Sequence, residues 1–193
     1  FSLNLVLILK VIAMLSMLWG SFGALLQSDL KRLLGYASVS HAGYILMALI
    51  CAFQGAYDQV IPVFEFYFLT YGLASMVALG VVLFAEETDQ QMQIDDLRGL
   101  YGRNTGLAIA LSISLLSMAG LPPLAGFFAK YQVFSLVISY GHVDLMVTAI
   151  MSSLISLGYY LRIIMIATAE SPEAKSRVIS RVGVIPAFVS VAL

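Results

Sequence analysis

Two basic side chains in this chain stand deep inside long apolar runs, and both belong to residue types that trade protons. Lys130 lies in SMAGLPPLAGFFAKYQVF (residues 117–134), seven residues after Pro123. His41 lies in LKRLLGYASVSHAGYILMAL (residues 30–49). Taking an ammonium out of water weakens its hold on the proton, and an imidazole titrates close to neutral pH. A lysine destabilised in this way can lose and regain a proton near physiological pH, which is the chemistry of a proton carrier. A kinked helix whose lysine pairs with a neighbouring acid is the plainer alternative.

The stretch around His41 adds hydroxyls at helical spacing. At about 100° per residue, Lys31, Leu34, Ser38, His41 and Ile45 fall along one stripe, which sets the Ser38 hydroxyl between a surface lysine and the histidine. Tyr36, Ser40 and Tyr44 place hydroxyls elsewhere on the same helix. Such a helix can carry a hydrogen-bonded relay through side chains and water, with Tyr44 a further candidate member. It can equally hold helices together, as Ser, Thr and His do in membranes. Lys31 reads either as an interfacial anchor or as a proton entry or exit group.

A bilayer must position these groups. The chain has 193 residues, of which 61% are hydrophobic and 11% charged, with mean hydropathy +0.95; that is too little polar surface for a water-soluble globule. A helical span needs about 20 apolar residues, and apolar runs cover residues 4–27, 30–53, 61–85, 105–139, 144–168 and 182–193, the last cut short. A β-barrel would show alternating segments of about ten residues instead. The expected fold is an all-α integral membrane protein of about six transmembrane helices, forming a single membrane domain over 1–193.

As one straight helix, 105–139 would be about 52 Å long, well beyond a hydrocarbon core of about 30 Å. The cluster Gly120, Pro122, Pro123 and Gly126 is the expected break. Proline leaves carbonyls unpaired, and irregular backbone survives at membrane depth only inside protein or beside a water-filled cavity. Broken helices of this kind mark ion sites in transporters built from inverted repeats.

The charges orient the spans. Lys31, Arg32, Arg98, Arg103, Lys175, Arg177 and Arg181 fall on loops of one face, with Arg162 able to snorkel there, whereas loops 54–60 and 140–144 carry no lysine or arginine. The positive-inside rule makes the first face cytoplasmic, or the matrix side in a mitochondrion. The longest loop, EETDQQMQIDDLRGL, reads as a solvated connection that can hold a short surface helix. Lys10 and Glu65 lie shallow enough to reach the second face, Cys51 reads as a packing residue, and His142 sits in a short loop. No phosphate loop, metal-binding cluster or haem pair of histidines is present in the sequence, so any energy this chain uses must arrive from elsewhere. Because the first residue is Phe1, the chain is expected to be a processed product, a split piece or a portion of something longer.

Together LKRLLGYASVSHAGYILMAL, SMAGLPPLAGFFAKYQVF and SLGYYLRIIMIA (residues 156–167) resemble the N-type antiporter-like subunit of respiratory complex I, the NADH dehydrogenase subunit 2 family, over nearly the whole chain. Mrp-type cation antiporters share the general pattern; lysine then tyrosine at 130 and 131, with YYLR in the next span, favours the N-type branch. The resemblance implies two inverted five-helix repeats, each a proton half-channel. Residues 4–168 then match the second repeat, and 182–193 part of a final helix. Lys130 matches the lysine of the broken twelfth helix and His41 the histidine of the tenth. The first repeat of the family carries a glutamate and two further lysines, for which this sequence holds no segment. A separate chain, or a segment outside this portion, would have to supply them.

The implied function is proton translocation within NADH:quinone oxidoreductase, with Lys130 the switching carrier and His41, Ser38 and water the link toward it. The implied cofactors (FMN, iron-sulfur clusters and quinone) belong to other subunits, and none belongs to this chain. Expected partners are other membrane subunits, including another antiporter-like one, and lipids, with no nucleic acid. The expected compartment is the mitochondrial inner membrane, the bacterial plasma membrane being the alternative. The rival functions are a non-pumping scaffold subunit and an Mrp-type cation/proton antiporter subunit.

Overall fold

Backbone at membrane depth has no water to bond with, so each apolar run closes its hydrogen bonds within a helix. The computed structural model describes residues 3–85 and 92–170. The acidic stretch with Glu86, Glu87 and Asp89, the basic residues 175, 177 and 181, and the expected span 182–193 lie outside the described residues. Helices α1 (Leu3–Leu25), α2 (Leu30–Ala52), α3 (Tyr57–Ala85) and α7 (Val143–Thr168) are each long and apolar enough to cross a membrane. The short helix α4 (Leu100–Arg103) leads into α5 (Thr105–Ala119) and α6 (Ala125–Ser139). At 15 residues each, the last two are about 22 Å long and cross only as a pair. The break therefore falls within the expected 105–139 run, and the described residues make an all-α membrane bundle.

Local sequence sets the ends of these helices. The Asp29 carboxylate accepts from the Arg32 amide at 2.8 Å to cap α2, and the Asn104 side chain accepts from the Leu107 amide at 3.2 Å to cap α5, each meeting one donor the first turn leaves open. Gly120 ends α5 with φ +83°, the left-handed conformation in which glycine carries no steric penalty.

The long loop departs from expectation. Its described half is not a solvated connection: Ile94, Leu97 and Leu100 are buried in the core. Their spacing of three puts them on one side of a helical turn, here a 3₁₀ turn over Ile94–Leu97 followed by α4. Backbone bonds from Ile94 to Ser28 (2.8 Å), Leu30 to Met92 (3.2 Å) and Gly99 to Ala169 (3.0 Å) fasten the loop under α2 and α7.

The interior has two apolar halves. Leu33, Leu34, Ala78, Val82, Leu111 and Ile163 fill the half toward the basic face, while Met17, Met47, Ile50, Val133, Val137 and Leu145 fill the other. Between them lies a polar layer of His41, Lys130 and buried serines. The α1–α2 pair closes over glycine: a side chain at Gly43 would run into Met17 and the Ala13 carbonyl, the close approach that small residues permit in membranes. Lys10 pairs with Asp144 at 3.0 Å, which accounts for this cation at the second face. Glu65 is exposed on α3, and Cys51 is buried.

Candidate functional site

The polar layer is assembled at one depth. His41 is eleven residues into α2, while Tyr67 and Ser153 are ten residues into α3 and α7 from the opposite face. At 1.5 Å per residue all three stand about 15 Å from a helix end, near the middle of the bundle.

Lys130 is rooted in the second turn of α6. Helical side chains lean toward the N-terminus of their helix, so this one reaches back into the break. The ammonium donates to the Ala119 carbonyl at 2.9 Å and to the Ser153 hydroxyl at 3.1 Å, and sits 5.2 Å from the centre of the Tyr44 ring. Ala119 ends α5, where open carbonyls gather partial negative charge. The partners are thus a carbonyl, a hydroxyl and a ring face, none of them the neighbouring acid of the plainer reading. Only 5% of the residue is exposed.

The break residues serve this geometry. A side chain at Gly120 would stand 2.8 Å from the Lys130 Cδ, so the position needs glycine for space as well as for its φ. At Gly126 a Cβ would run into the Ser117 carbonyl, and the Gly126 amide donates to the Ser117 hydroxyl at 3.3 Å. Missing side chains at these two positions let α6 begin directly against the end of α5. The turn between them holds Pro122 and Pro123, joined by a cis peptide.

His41 is buried (3% exposed) and its Nδ1 shares a hydrogen bond of 2.7 Å with the Tyr67 hydroxyl. Its ring stacks on Tyr71 at 4.0 Å and lies 5.8 Å from Tyr44. A small cavity joins the two bases: His41, Tyr67, Tyr71, Ser117, Gly126 and Lys130 all line it, and it has room for about one water.

Of the residues singled out by sequence, Lys130, His41 and Tyr44 come together, with Gly120 and Gly126 shaping the break. Among the described residues Ser38 makes no direct hydrogen bond to His41. Leu34 and His41 lie on the buried edge of the stripe, while Lys31 and Ser38 lie exposed on its other edge, about 60° around the helix from His41 in the case of Ser38. The Ser38 hydroxyl donates to its own helix, to the Gly35 carbonyl at 2.6 Å. Lys31 remains at the basic end of α2. Tyr44 donates to the Ala149 carbonyl at 2.8 Å, and Ser40 forms a buried triad with Ser21 (3.1 Å) and Ser152 (2.9 Å) that ties α1, α2 and α7.

Sequence reasoning missed Tyr67, Tyr71, Ser117 and Ser153. The available signal was the polar set Tyr67, Thr70 and Tyr71 at helical spacing within an apolar span, together with the serine pair at 152 and 153.

The sequence and its fold have counterparts among known proteins. The family model described as "NADH:quinone oxidoreductase/Mrp antiporter, TM" matches residues 1–156. The chain belongs to this family. NADH:quinone oxidoreductase/Mrp antiporter relatives include the NADH-quinone oxidoreductase subunit N of Nitrosomonas europaea, 38% identical over 166 residues, which cover 86% of this chain and 34% of that protein. Among solved structures, respiratory complex I from Thermus thermophilus with bound aureothin contains a chain 34% identical, with TM-score 0.78, over 95% of this chain and 40% of that one. The Mrp complex from a Dietzia species shares the fold, with TM-score 0.76 at 24% identity over 86% of this chain and 30% of its counterpart. The chain spans about a third of the length of the curated relative it matches. The family and the apolar helices make it a multi-pass membrane protein of antiporter-like fold.

Proposed function

We propose that this chain is part of a proton-translocating membrane subunit of NADH:quinone oxidoreductase, in which Lys130 takes up and releases the transported proton and His41 hands it on. The observation that carries this reading is the shared cavity: an ammonium held by the open Ala119 carbonyl and a phenol-bonded imidazole, with room for about one water between them.

The chemistry follows from the surroundings. Among the described residues no carboxylate bonds the Lys130 ammonium, whose charge is held by the dipoles of a carbonyl and a hydroxyl. Two cations in one low-dielectric cavity repel, so a proton arriving at His41 opposes a charge on Lys130. Repulsion from a further charged group along a row of buried bases would act in the same sense and drive the proton onward. Electrons pass elsewhere: FMN, iron-sulfur clusters and quinone are assigned to other subunits, and this chain needs no cofactor of its own. Its partners are other membrane subunits, among them a second antiporter-like one, and a chain or segment that supplies the first repeat.

The compartment is an energy-coupling membrane. A mitochondrial inner membrane fits the resemblance to NADH dehydrogenase subunit 2; relatives such as that of Nitrosomonas europaea are bacterial and favour a bacterial plasma membrane.

Lys130→Met separates this reading from a scaffold, since the thioether keeps helix character and volume but cannot titrate. Proton translocation during NADH oxidation should fall by at least tenfold in complexes that still assemble on a native gel; unchanged translocation and turnover make the chain a scaffold. The Mrp-like fold supports an antiporter reading as well, which predicts sodium- or potassium-dependent transport without a redox module. Copurification with flavin and iron-sulfur subunits would exclude it.

A further inference from the structure

The two hydrogen-bond partners of the Lys130 ammonium differ in kind. The Ala119 carbonyl can only accept. Three and four residues beyond it stand Pro122 and Pro123, neither of which has an amide hydrogen to offer it, so this acceptor stays with the lysine whatever its charge. The Ser153 hydroxyl accepts from the ammonium at 3.1 Å but also has a proton of its own to donate.

That proton is not spent on its own helix. Along α7 the hydroxyls of Thr148, Ser156 and Thr168 donate to carbonyls of the same helix at 2.9, 2.8 and 2.9 Å. Ser152, about 100° around the helix, turns to Ser21 and Ser40. Ser153 bonds no α7 carbonyl among the described residues. It is half-buried and meets the lysine at the break. Beside it lies the Tyr44 phenol, which donates to the Ala149 carbonyl one turn back at 2.8 Å.

The two charge states of the lysine ask for different partners. An ammonium has three donors and no acceptor; the amine left after a proton departs has two donors and a lone pair. A partner that can only accept leaves that lone pair bare, and a buried polar group without a partner is costly. We propose that Ser153 is a positioning residue for proton exchange at Lys130, its hydroxyl accepting from the ammonium and turning about the Cβ–Oγ bond to donate to the amine. The proposal rests on the proton-carrier reading above and goes beyond it. The departing proton leaves its bonding pair on Nζ. The serine forms and breaks no covalent bond, and its oxygen keeps its proton in both states.

The test uses the whole complex in sealed vesicles, with each variant checked for assembly on a native gel. Ser153→Ala removes both roles, so proton translocation during NADH oxidation should fall about tenfold, with a larger solvent deuterium isotope effect and heat resistance unchanged. Ser153→Thr returns the hydroxyl and should bring translocation close to the parent. Ser153→Asp sets a fixed, charged acceptor in its place and should translocate no better than the alanine variant. Near-parental translocation by the alanine or the aspartate variant overturns the proposal, as does a loss with alanine that threonine fails to restore. Lys130→Met tells the two readings apart: if it abolishes translocation while the alanine variant matches the parent, only the role of Ser153 is wrong; if it is also silent, the carrier reading itself fails. Should Ser153→Ala not assemble, Ser153→Cys, whose thiol hydrogen-bonds only weakly, decides in its place: a several-fold loss supports the role, and parental translocation overturns it.

Discussion

At the scale of single residues, the site depends on what Lys130 lacks as much as on what it touches. A carboxylate partner would fix its charge; a carbonyl and a hydroxyl hold it without doing so. Tyr67→Phe removes the hydroxyl that shares a hydrogen bond with the His41 Nδ1. It should lower translocation several-fold with assembly unchanged, as vesicle assays with a native gel will show. Outside the membrane spans, His142 bonds Gln54 at 2.9 Å, and burial, with Lys10 nearby, holds its imidazole below the ordinary value of 6.5. The unfolded chain therefore takes up this proton first, and the contact contributes fully above about pH 6.5 and is lost as pH falls below it. Amide exchange around 53–56 and 142–146, corrected for intrinsic rates, should quicken below that pH. Lys130 and His41 were legible in sequence because a cation or imidazole in an apolar run is conspicuous. Tyr67 and Tyr71 were not: tyrosine is common in membrane helices, and only the three-dimensional packing shows which phenol meets the imidazole.

At the scale of elements, the break is a device for presenting an open carbonyl to a lysine. Gly120→Ala sets a Cβ against the Lys130 stem and forces a left-handed residue to carry it, a strain of about 1–3 kcal/mol. Thermal unfolding of the purified complex should begin at lower temperature, and translocation should fall even where assembly survives, because the ammonium is displaced. The serine triad behaves differently: Ser152→Ala removes two hydroxyl contacts among α1, α2 and α7 and should cost about 0.5–2 kcal/mol with little effect on transport. Proline and glycine made the break readable to within a few residues. The Lys31–Ser38–His41 stripe shows the limit of periodicity: a stripe about 80° wide includes both a buried and an exposed edge, and the neighbour α3 decides where one gives way to the other. The loop at 92–99 was misread for a related reason, since Ile94, Leu97 and Leu100 count as few in composition yet lie on one side of a turn.

At the scale of the whole molecule, two apolar halves sandwich a polar layer near mid-membrane, with basic loops at one end and the Lys10–Asp144 pair at the other. Trp19, Leu69, Met76, Leu83, Leu154 and Met165 are exposed around the outside, as lipid or neighbouring helices require. A cysteine placed at Gln54 and one placed at Arg32 should react with an impermeant thiol reagent from opposite sides of sealed vesicles. Labelling from the same side would contradict the orientation.

The central claim is that Lys130 works by changing its charge. The most direct measurement compares proton translocation during NADH oxidation in vesicles carrying Lys130→Met and Lys130→Arg, each checked for assembly. An arginine keeps the charge but does not give up its proton, so both variants should fall at least tenfold; near-parental translocation by the arginine variant would mean that a fixed charge suffices, and would contradict the account.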